Sequence, residues 1–220
     1  MSDLRDKQLI IFDMDGTTLY TLDDLWDTAN YALAKNGLPL RKKEEIRQFA
    51  GYGLKRLIEQ AVPDGTSAEL CEQCFKDLTE HYKVHCNDKT RPYDGIPELM
   101  RALRQAGKKT AVVSNKADYA VQILDEKYFP GLLDMGEGER EGIARKPHAD
   151  MVNAVLEQLH IAREDAVYIG DSEVDLETAK NAGMDCIAVL WGYRSEAFLK
   201  QQGAVHIVKD VDELKKVLLG

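Results

Sequence analysis

The amino-acid sequence predicts an α/β protein, in which a doubly wound parallel sheet (a Rossmann-like core) is interrupted by an all-helical insert. Two observations support this prediction. From residue 91 onward, apolar strand-like runs alternate with amphipathic helical segments, which is typical of parallel sheets covered by helices on both faces. Between the first strand-like run and that region, residues 22–86 show helical periodicity with no strand pattern.

The elements are predicted in order from this periodicity. The first strand covers residues 8–12, and the helices of the insert then begin near Leu22. Further strands are predicted at residues 108–113, 166–169 and 185–190, and helices at 96–106, 117–128, 148–159, 173–182 and 211–219. We therefore assign residues 1–16 and 92–220 to a core domain and residues 17–91 to a helical cap, with hinges near residues 17–22 and 87–94.

Composition limits the class of protein. The chain of 220 residues is 44% hydrophobic and 30% charged, which is typical of a globular protein with a full core. Its net charge of -9 argues against nucleic-acid binding, because phosphate contacts need clustered Lys and Arg. A charged beginning and the lack of a long apolar run predict a cytoplasmic protein without a membrane partner.

Cys71 and Cys74 form a C-x-x-C pair within a helical pattern. A redox pair of this kind is expected at a strand-to-helix turn instead. A zinc site would need two more ligands, and His81 and His85 follow on the same pattern. We favour thiols on a helix over a zinc site, and the sequence does not give the pair a role.

The most informative motif is Asp13-Met14-Asp15-Gly16-Thr17, directly after the apolar run that ends at Phe12. Carboxylates two residues apart in a strand point to the same side, and their repulsion must be offset by a cation, a proton or hydrogen bonds. Gly16 allows a turn and lets a ligand approach the backbone. The pair suits one nucleophile and one general acid/base, whereas the alternative is a turn with solvated acids.

Other predicted strands also end in polar residues. Ser114-Asn115-Lys116 follows the strand at 108–113, and Gly170-Asp171-Ser172 follows the strand at 166–169, with Asp175 soon after. Ligands of open parallel sheets lie beyond the carboxyl ends of the strands. Lys146, before Pro147, precedes a helix with no strong strand of its own.

These four segments, in this order, resemble the motifs of the haloacid dehalogenase superfamily, and the chain looks closest to its phosphoglycolate phosphatase-like members with a helical cap. The resemblance implies Asp13 as nucleophile, Asp15 as general acid/base, and Ser114 and Lys146 as catalytic groups that bind the phosphoryl oxygens. It also implies Mg²⁺ held by the carboxylates of Asp13 and Asp171 and the backbone carbonyl of Asp15. Further implied roles are substrate binding by Gly16, Thr17 and Asn115, and positioning by Asp175 and Ser172.

Each of these residues has a simpler alternative. Ser114 and Asn115 could cap a helix, which is compatible with phosphate binding at its N-terminus. Lys146 could be a solvated loop charge, and Ser172 could cap the next helix. The third motif departs from many relatives because Ala149 stands where they have a second Pro. We expect no loss of activity from that change.

Asp15 narrows the reaction, because the dehalogenase and phosphonatase branches of the superfamily lack an acid at this position. The sequence therefore predicts a phosphatase acting on a small phosphorylated metabolite. The alternatives are a sugar-phosphate mutase like β-phosphoglucomutase, a pyrophosphatase or nucleotidase, and a non-catalytic phosphate-binding regulator. Cap residues Gly51, Gly53, Lys55 and Arg56 resemble a substrate-binding segment, although a solvated basic helix start is equally compatible. Substrate and oligomeric state, monomer or homodimer, are left open.

Overall fold

The computed structural model describes residues 3–220, and this part of the chain divides into two compact units. One unit comprises the residues up to Leu19 together with Pro92–Gly220, and the other comprises Tyr20–Arg91. Residues 1 and 2, assigned to the core domain from the sequence, lie outside the described residues. The domain boundaries drawn at residues 17–91 stay a prediction.

The strands are β1 (Leu9–Phe12), β2 (Leu19–Tyr20), β3 (Arg91–Pro92), β4 (Lys109–Ala117), β5 (Met135–Glu139), β6 (Ala166–Gly170), β7 (Asp185–Val189) and β8 (His206–Val208). The α-helices are α1 (Leu22–Lys35), α2 (Lys43–Phe49), α3 (Gly53–Ala61), α4 (Ala68–His85), α5 (Ile96–Gln105), α6 (Asp118–Tyr128), α7 (Asp150–Leu159), α8 (Glu173–Ala182), α9 (Glu196–Gln201) and α10 (Val211–Leu219).

Six strands of the first unit form one parallel sheet in the order β5-β4-β1-β6-β7-β8. The predicted α/β class is therefore confirmed. The first strand is central, and its four apolar residues are fully buried. The residues that follow β1 therefore lie at the carboxyl end of a central strand, with a neighbouring strand on each side.

The two faces of β1 belong to two separate apolar clusters. Ile10 and Phe12 pack with residues of α5, α6 and α10, whereas Leu9 and Ile11 pack with residues of α7 and α8. Side chains alternate across a strand, so a run that is apolar at every position needs cover on both faces. Burial of each side chain contributes roughly 1.5–3 kcal/mol, which favours a position for β1 inside the core.

Several predicted boundaries were wrong. The strand predicted at residues 108–113 runs on to Ala117 as β4, with a register shift against β5 between Val113 and Ala117. Helix α7 begins at Asp150, two residues later than predicted. The sequence analysis also missed β2, β3, β5, β8 and α9. Strand β5 reads Met-Gly-Glu-Gly-Glu, which has a poor strand propensity, and β5 and β8 lie at the two edges of the six-stranded sheet.

The second unit contains helices α1 to α4, and α4 packs against both α1 and α3. Its core is built from residues of these helices, among them Leu33, Ile58 and Tyr82. Asp24 of α1 is buried and accepts hydrogen bonds from the backbone amides of Lys89 and Thr90 and from the Thr90 hydroxyl, at 2.7–3.1 Å. This carboxylate ties the end of the unit back to its first helix.

Strands β2 and β3, at the points where the chain passes from one unit to the other, pair with each other as a two-stranded ribbon. Among residues 3–220, no helix has both the length and the apolar character that crossing a membrane requires.

Candidate active site

Three adjacent strands bring the predicted polar residues to one edge of the sheet. Asp13 follows β1, Asp171 follows β6, and Ser114 lies in the last part of β4. The backbone amide of Asp13 donates to the carbonyl of Ile169 at 2.8 Å, so the pairing of β1 with β6 continues to the start of the motif. Parallel pairing thus brings residues more than 150 positions apart in sequence to the same edge.

A buried acidic cluster lies at this edge. Asp13, Asp171 and Asp175 each offer one carboxylate oxygen, and these oxygens lie within 4.8 Å of one another. Lys146 enters the cluster with its ammonium 2.9 Å from Asp13 and 2.7 Å from Asp175. Its side chain is 1% exposed, so the interpretation of Lys146 as a solvated loop charge was wrong.

Two carboxylates of the cluster have raised pKa values. Burial raises the pKa of Asp13 to about 6 although Lys146 opposes the shift. Burial, with the nearby charges of Asp175 and Asp13, raises the pKa of Asp171 to about 8. For Lys146, burial alone would lower the pKa, but Asp13 and Asp175 hold it well above its usual range. The ammonium is therefore charged, and the negative charge around it is not fully offset.

Asp175 is held by the start of helix α8. Its Oδ2 accepts from the amide of Asp171 at 3.1 Å and from the amide and hydroxyl of Ser172 at 3.0 and 2.7 Å. Ser172 and Asp175 form a capping box, so the alternative in which Ser172 caps the next helix is confirmed. Oδ1 of Asp175 contacts Lys146, so both oxygens of this carboxylate are used in positioning neighbours.

Asp171 is fixed from two other segments. Thr17 donates its hydroxyl to Oδ1 at 3.1 Å, and the backbone amide of Tyr193 donates to Oδ2 at 2.6 Å. The same segments approach so closely that only glycine fits beside the carboxylate. A Cβ atom at Gly16, whose φ is +86°, would lie 2.5 Å from Oδ2 of Asp171. A Cβ atom at Gly192 would lie 2.3 Å from Cβ of Asp171.

Asp15 takes a different partner from Asp13, because the chain has turned between them. Lys116 donates to Oδ1 of Asp15 at 2.8 Å; the lysine side chain is 1% exposed and that of Asp15 is 17% exposed. The two aspartates therefore have separate ammonium partners, Lys146 and Lys116.

Ser114 and Asn115 do not cap a helix, so that alternative was wrong. Helix α6 begins at Asp118, and both residues lie within β4 and are buried. Oγ of Ser114 accepts from the amide of Lys116 at 3.4 Å, and the side-chain amide of Asn115 donates to the carbonyl of Lys146 at 3.0 Å. Asn115 thus fixes the backbone that presents Lys146.

Four contributors to the site were missed from the sequence. Lys116 belongs to the polar segment Ser114-Asn115-Lys116 of the sequence analysis, but no role was predicted for it. Tyr193 and Gly192 lie just beyond β7, together with Trp191, whose indole donates to the carbonyl of Thr17 at 2.9 Å. The rule that ligands bind beyond strand ends, applied also to the strand at 185–190, would have indicated this loop.

The predicted cap residues lie in the second unit. Gly51 and Gly53 have φ angles of +120° and +83°, and Gly53 begins α3. Lys55 lies 3.3 Å from Glu72, and Arg56 lies 3.4 Å from Glu59. Both basic side chains are more than half exposed and both have an acidic partner within their own unit.

Comparisons with known proteins agree on one family. A family model described as haloacid dehalogenase-like hydrolase matches residues 10–189. A phosphoglycolate phosphatase of Aquifex aeolicus is 32% identical over 187 residues, which cover 84% of this chain and 86% of that protein. A phosphoglycolate phosphatase of Mesorhizobium japonicum is 31% identical over 198 residues, covering 85% and 84%.

Solved structures show the same fold. A protein from Lactobacillus delbrueckii subsp. bulgaricus, predicted to be a phosphoglycolate phosphatase, has a TM-score of 0.93 and 38% identity over 98% of this chain and 99% of its own. Protein Tyrosine Kinase A of Mycobacterium tuberculosis has a TM-score of 0.81 and 25% identity over 98% and 99%. Because proteins with different activities share this fold, the reaction must be argued from the site.

Proposed function

The chain belongs to the haloacid dehalogenase-like hydrolase family, and we propose that it is a phosphatase that uses Mg²⁺ and hydrolyses a small phosphate monoester through an aspartyl phosphate on Asp13. The observation that carries this proposal is the buried cluster of Asp13, Asp171 and Asp175 around the ammonium of Lys146. It offers a nucleophilic carboxylate, an adjacent positive charge and oxygen ligands in one sheltered place.

The charges at the site fit a divalent cation. When ionised, the four carboxylates of the site, those of Asp13, Asp15, Asp171 and Asp175, exceed the two ammonium groups of Lys116 and Lys146 by two negative charges. This excess of negative charge and the all-oxygen donor set suit Mg²⁺. We assign the carboxylates of Asp13 and Asp171 and the backbone carbonyl of Asp15 as its ligands. When bound, the ion neutralises charge on the transferring phosphoryl group.

Asp13 and Asp15 have different roles in each of the two half-reactions. A carboxylate oxygen of Asp13 forms a bond to phosphorus while the bond to the leaving oxygen breaks, and Asp15 gives its proton to that oxygen. Water then attacks phosphorus, Asp15 accepts a proton from it, and the bond between phosphorus and Asp13 breaks. Lys116 occupies Oδ1 of Asp15, so we assign the transferred proton to Oδ2.

The remaining residues hold this arrangement. Lys146, 2.9 Å from Asp13, favours the ionised nucleophile and offsets the charge of the phosphate. Ser114 and nearby backbone amides are proposed to donate to the phosphoryl oxygens. Asp175 and Ser172 orient Lys146 and the start of α8. Thr17 donates a hydrogen bond that positions Asp171, in addition to its proposed contact with the substrate.

We propose a substrate of the phosphoglycolate class, a short phosphate monoester that carries a carboxylate. Support comes from relatives named phosphoglycolate phosphatase that match most of this chain. Lys55 or Arg56 would bind the substrate carboxylate in exchange for its present acidic partner, Glu72 or Glu59. Cytoplasmic location and oligomeric state stay predictions.

The test is release of inorganic phosphate from a panel of phosphate monoesters that includes phosphoglycolate, a sugar phosphate and p-nitrophenyl phosphate. Turnover is expected with Mg²⁺ and is expected to stop with EDTA. Asp13→Asn keeps the shape of the side chain and should abolish turnover, whereas Asp64→Asn, in an exposed loop, should not change it. No turnover on any member of the panel would contradict the proposal.

The substrate class has its own test. Lys55→Met or Arg56→Met should raise KM for phosphoglycolate at least tenfold and leave kcat/KM for p-nitrophenyl phosphate unchanged, because only the former substrate carries a carboxylate. An unchanged KM for phosphoglycolate in both variants would refute the carboxylate contact without affecting the phosphatase proposal.

A further inference from the structure

Tyr168 is a polar side chain in the core of the first unit, and the function proposed above gives it no role. It lies in β6 opposite Ile11 of β1, and its side chain is fully buried. The ring belongs to the apolar cluster on the face of the sheet that α7 and α8 cover. A tyrosine hydroxyl in such surroundings needs hydrogen-bond partners, because burial of an unpaired hydroxyl is costly. The partners of this hydroxyl therefore show which part of the molecule it holds.

The hydroxyl of Tyr168 has two partners, and their chemistry decides the direction of both hydrogen bonds. Oη lies 2.8 Å from the backbone carbonyl oxygen of Val113 and 3.1 Å from Nζ of Lys146. A carbonyl oxygen can only accept a hydrogen bond, and an ammonium group can only donate one. Tyr168 therefore donates its proton to Val113 and accepts a hydrogen bond from Lys146.

The hydroxyl completes the surroundings of the Lys146 ammonium group. Three oxygen atoms lie next to Nζ: Oδ1 of Asp175 at 2.7 Å, Oδ1 of Asp13 at 2.9 Å and Oη of Tyr168 at 3.1 Å. An ammonium group has three N–H donors, so each donor has one acceptor. The lysine side chain is only 1% exposed, so solvent does not readily replace an acceptor that is removed. Tyr168 thus supplies the third acceptor that fixes the direction of the other two bonds.

Tyr168 also connects two separate parts of the site. Strand β1 lies between β4 and β6, so the hydroxyl reaches from β6 to a strand two positions away in the sheet. The carbonyl of Val113 directly precedes Ser114, the proposed donor to the phosphoryl oxygens. Lys146 lies between β5 and α7. One hydroxyl therefore fixes the ammonium beside the nucleophile relative to the strand end that carries Ser114.

We propose that Tyr168 is a positioning residue of the phosphatase reaction, whose hydroxyl holds the ammonium of Lys146 against Asp13 and in place relative to Ser114. It acts through Lys146 and not on the substrate. Loss of the hydroxyl leaves one N–H of a buried ammonium without an acceptor, so the ammonium turns away from its present position. Attack of Asp13 on phosphorus then slows, because the groups around the nucleophile are no longer held in one geometry. The effect on turnover depends on the function proposed above, whereas the contact with Lys146 does not.

Tyr168→Phe removes only the hydroxyl, and Thr110→Val is its matched control. Thr110 is buried near the start of β4, and its hydroxyl donates to the carbonyl of Leu132 at 2.5 Å. Both variants lose a buried hydroxyl that donates to a carbonyl, so both should unfold at a lower urea concentration than the parent protein. Only Tyr168→Phe should lower kcat for p-nitrophenyl phosphate at saturating Mg²⁺, and it should do so at least tenfold.

A double-mutant cycle separates positioning of Lys146 from a general structural effect. When Tyr168→Phe is added to Lys146→Met, kcat should fall by less than twofold, because the hydroxyl has no ammonium left to hold. A tenfold fall in both backgrounds would overturn the proposal. An unchanged kcat in the single variant Tyr168→Phe would overturn it as well.

NMR of the lysine ammonium groups measures the contact without turnover. A buried, hydrogen-bonded ammonium exchanges its protons slowly with water and gives a resolved ¹H–¹⁵N signal, which Lys146→Met identifies by its absence. This signal should keep its position in Thr110→Val and should shift or vanish in Tyr168→Phe. An unchanged signal in Tyr168→Phe, or no signal in the parent protein, would overturn the proposal. A parent protein without turnover would contradict the phosphatase function, and the signal would still decide whether Tyr168 holds Lys146.

Discussion

Mg²⁺ binding to the acidic cluster is expected to release about one proton per site at pH 7. The reason is the raised pKa of two proposed ligands in the metal-free protein, about 8 for Asp171 and about 6 for Asp13. At pH 7 a group with a pKa of 8 is about 90% protonated and one with a pKa of 6 about 10% protonated. Asp171 and Asp13 bind the ion only in their ionised form, so these protons must leave.

The sign of the pH dependence follows. Both pKa values are raised, so protonation of Asp171 and Asp13 competes with the ion most at low pH. Affinity for Mg²⁺ should rise about tenfold between pH 7 and pH 9 and then level off, because Asp171 is almost fully ionised at pH 9. Proton release should fall from about one at pH 7 to about one tenth at pH 9 over the same interval.

Isothermal calorimetry in buffers with different ionisation enthalpies measures the number of protons released. Asp171→Asn should lose most of the proton release and bind Mg²⁺ at least tenfold more weakly. Asp125→Asn is the matched control, because burial raises the pKa of Asp125 to about 6 as well, but it lies in α6 and not in the acidic cluster. Mg²⁺ binding with no proton release at pH 7 and no change of affinity with pH would refute this account of the cluster.

Three further changes test other contacts. Lys116→Met should lower kcat at least tenfold because Asp15 loses its ammonium partner, and an unchanged kcat would exclude that role. Gly192→Ala should raise the Mg²⁺ concentration needed for half-maximal activity at least tenfold, because its Cβ displaces Asp171; an unchanged requirement would contradict that close contact. Asp77→Asn should lower stability in urea by about 1–2 kcal/mol at pH 7. Hydrogen bonds, of which the one from Lys35 is the most important, lower the pKa of Asp77 to about 2. The difference in stability between the parent protein and Asp77→Asn should therefore disappear as pH falls from about 4 to 2. A difference in stability that does not change with pH would contradict this role of Asp77.

The sequence was sufficient to predict the central part of the site. Asp13 and Asp171 could be placed together because each follows an apolar run, and parallel strands end at the same edge. The turn at Gly16 was also predictable, since its φ of +86° requires glycine. These predictions needed only the period of the apolar pattern and the chemistry of the residues after each strand.

The partners of these residues could not be predicted in the same way. Lys116 contacts Asp15 instead of solvent because β4 extends to Ala117. The sequence analysis ended this strand at residue 113, because polar residues follow that position. The contact of the Tyr193 amide with Asp171 is made by backbone, so no side-chain pattern records it. Strand β5 was missed because its pairing with β4, and not its own composition, makes it a strand.

The most direct test of the proposed reaction is to trap the covalent intermediate. Borohydride reduces an aspartyl phosphate to homoserine, so protein quenched with borohydride during turnover of a phosphate monoester with Mg²⁺ can be digested and sequenced by mass spectrometry. We predict homoserine at position 13, and none when EDTA is present or in Asp13→Asn. Active protein without homoserine at any position, or with homoserine at Asp15 or Asp171 instead, would contradict the assignment of Asp13 as the nucleophile.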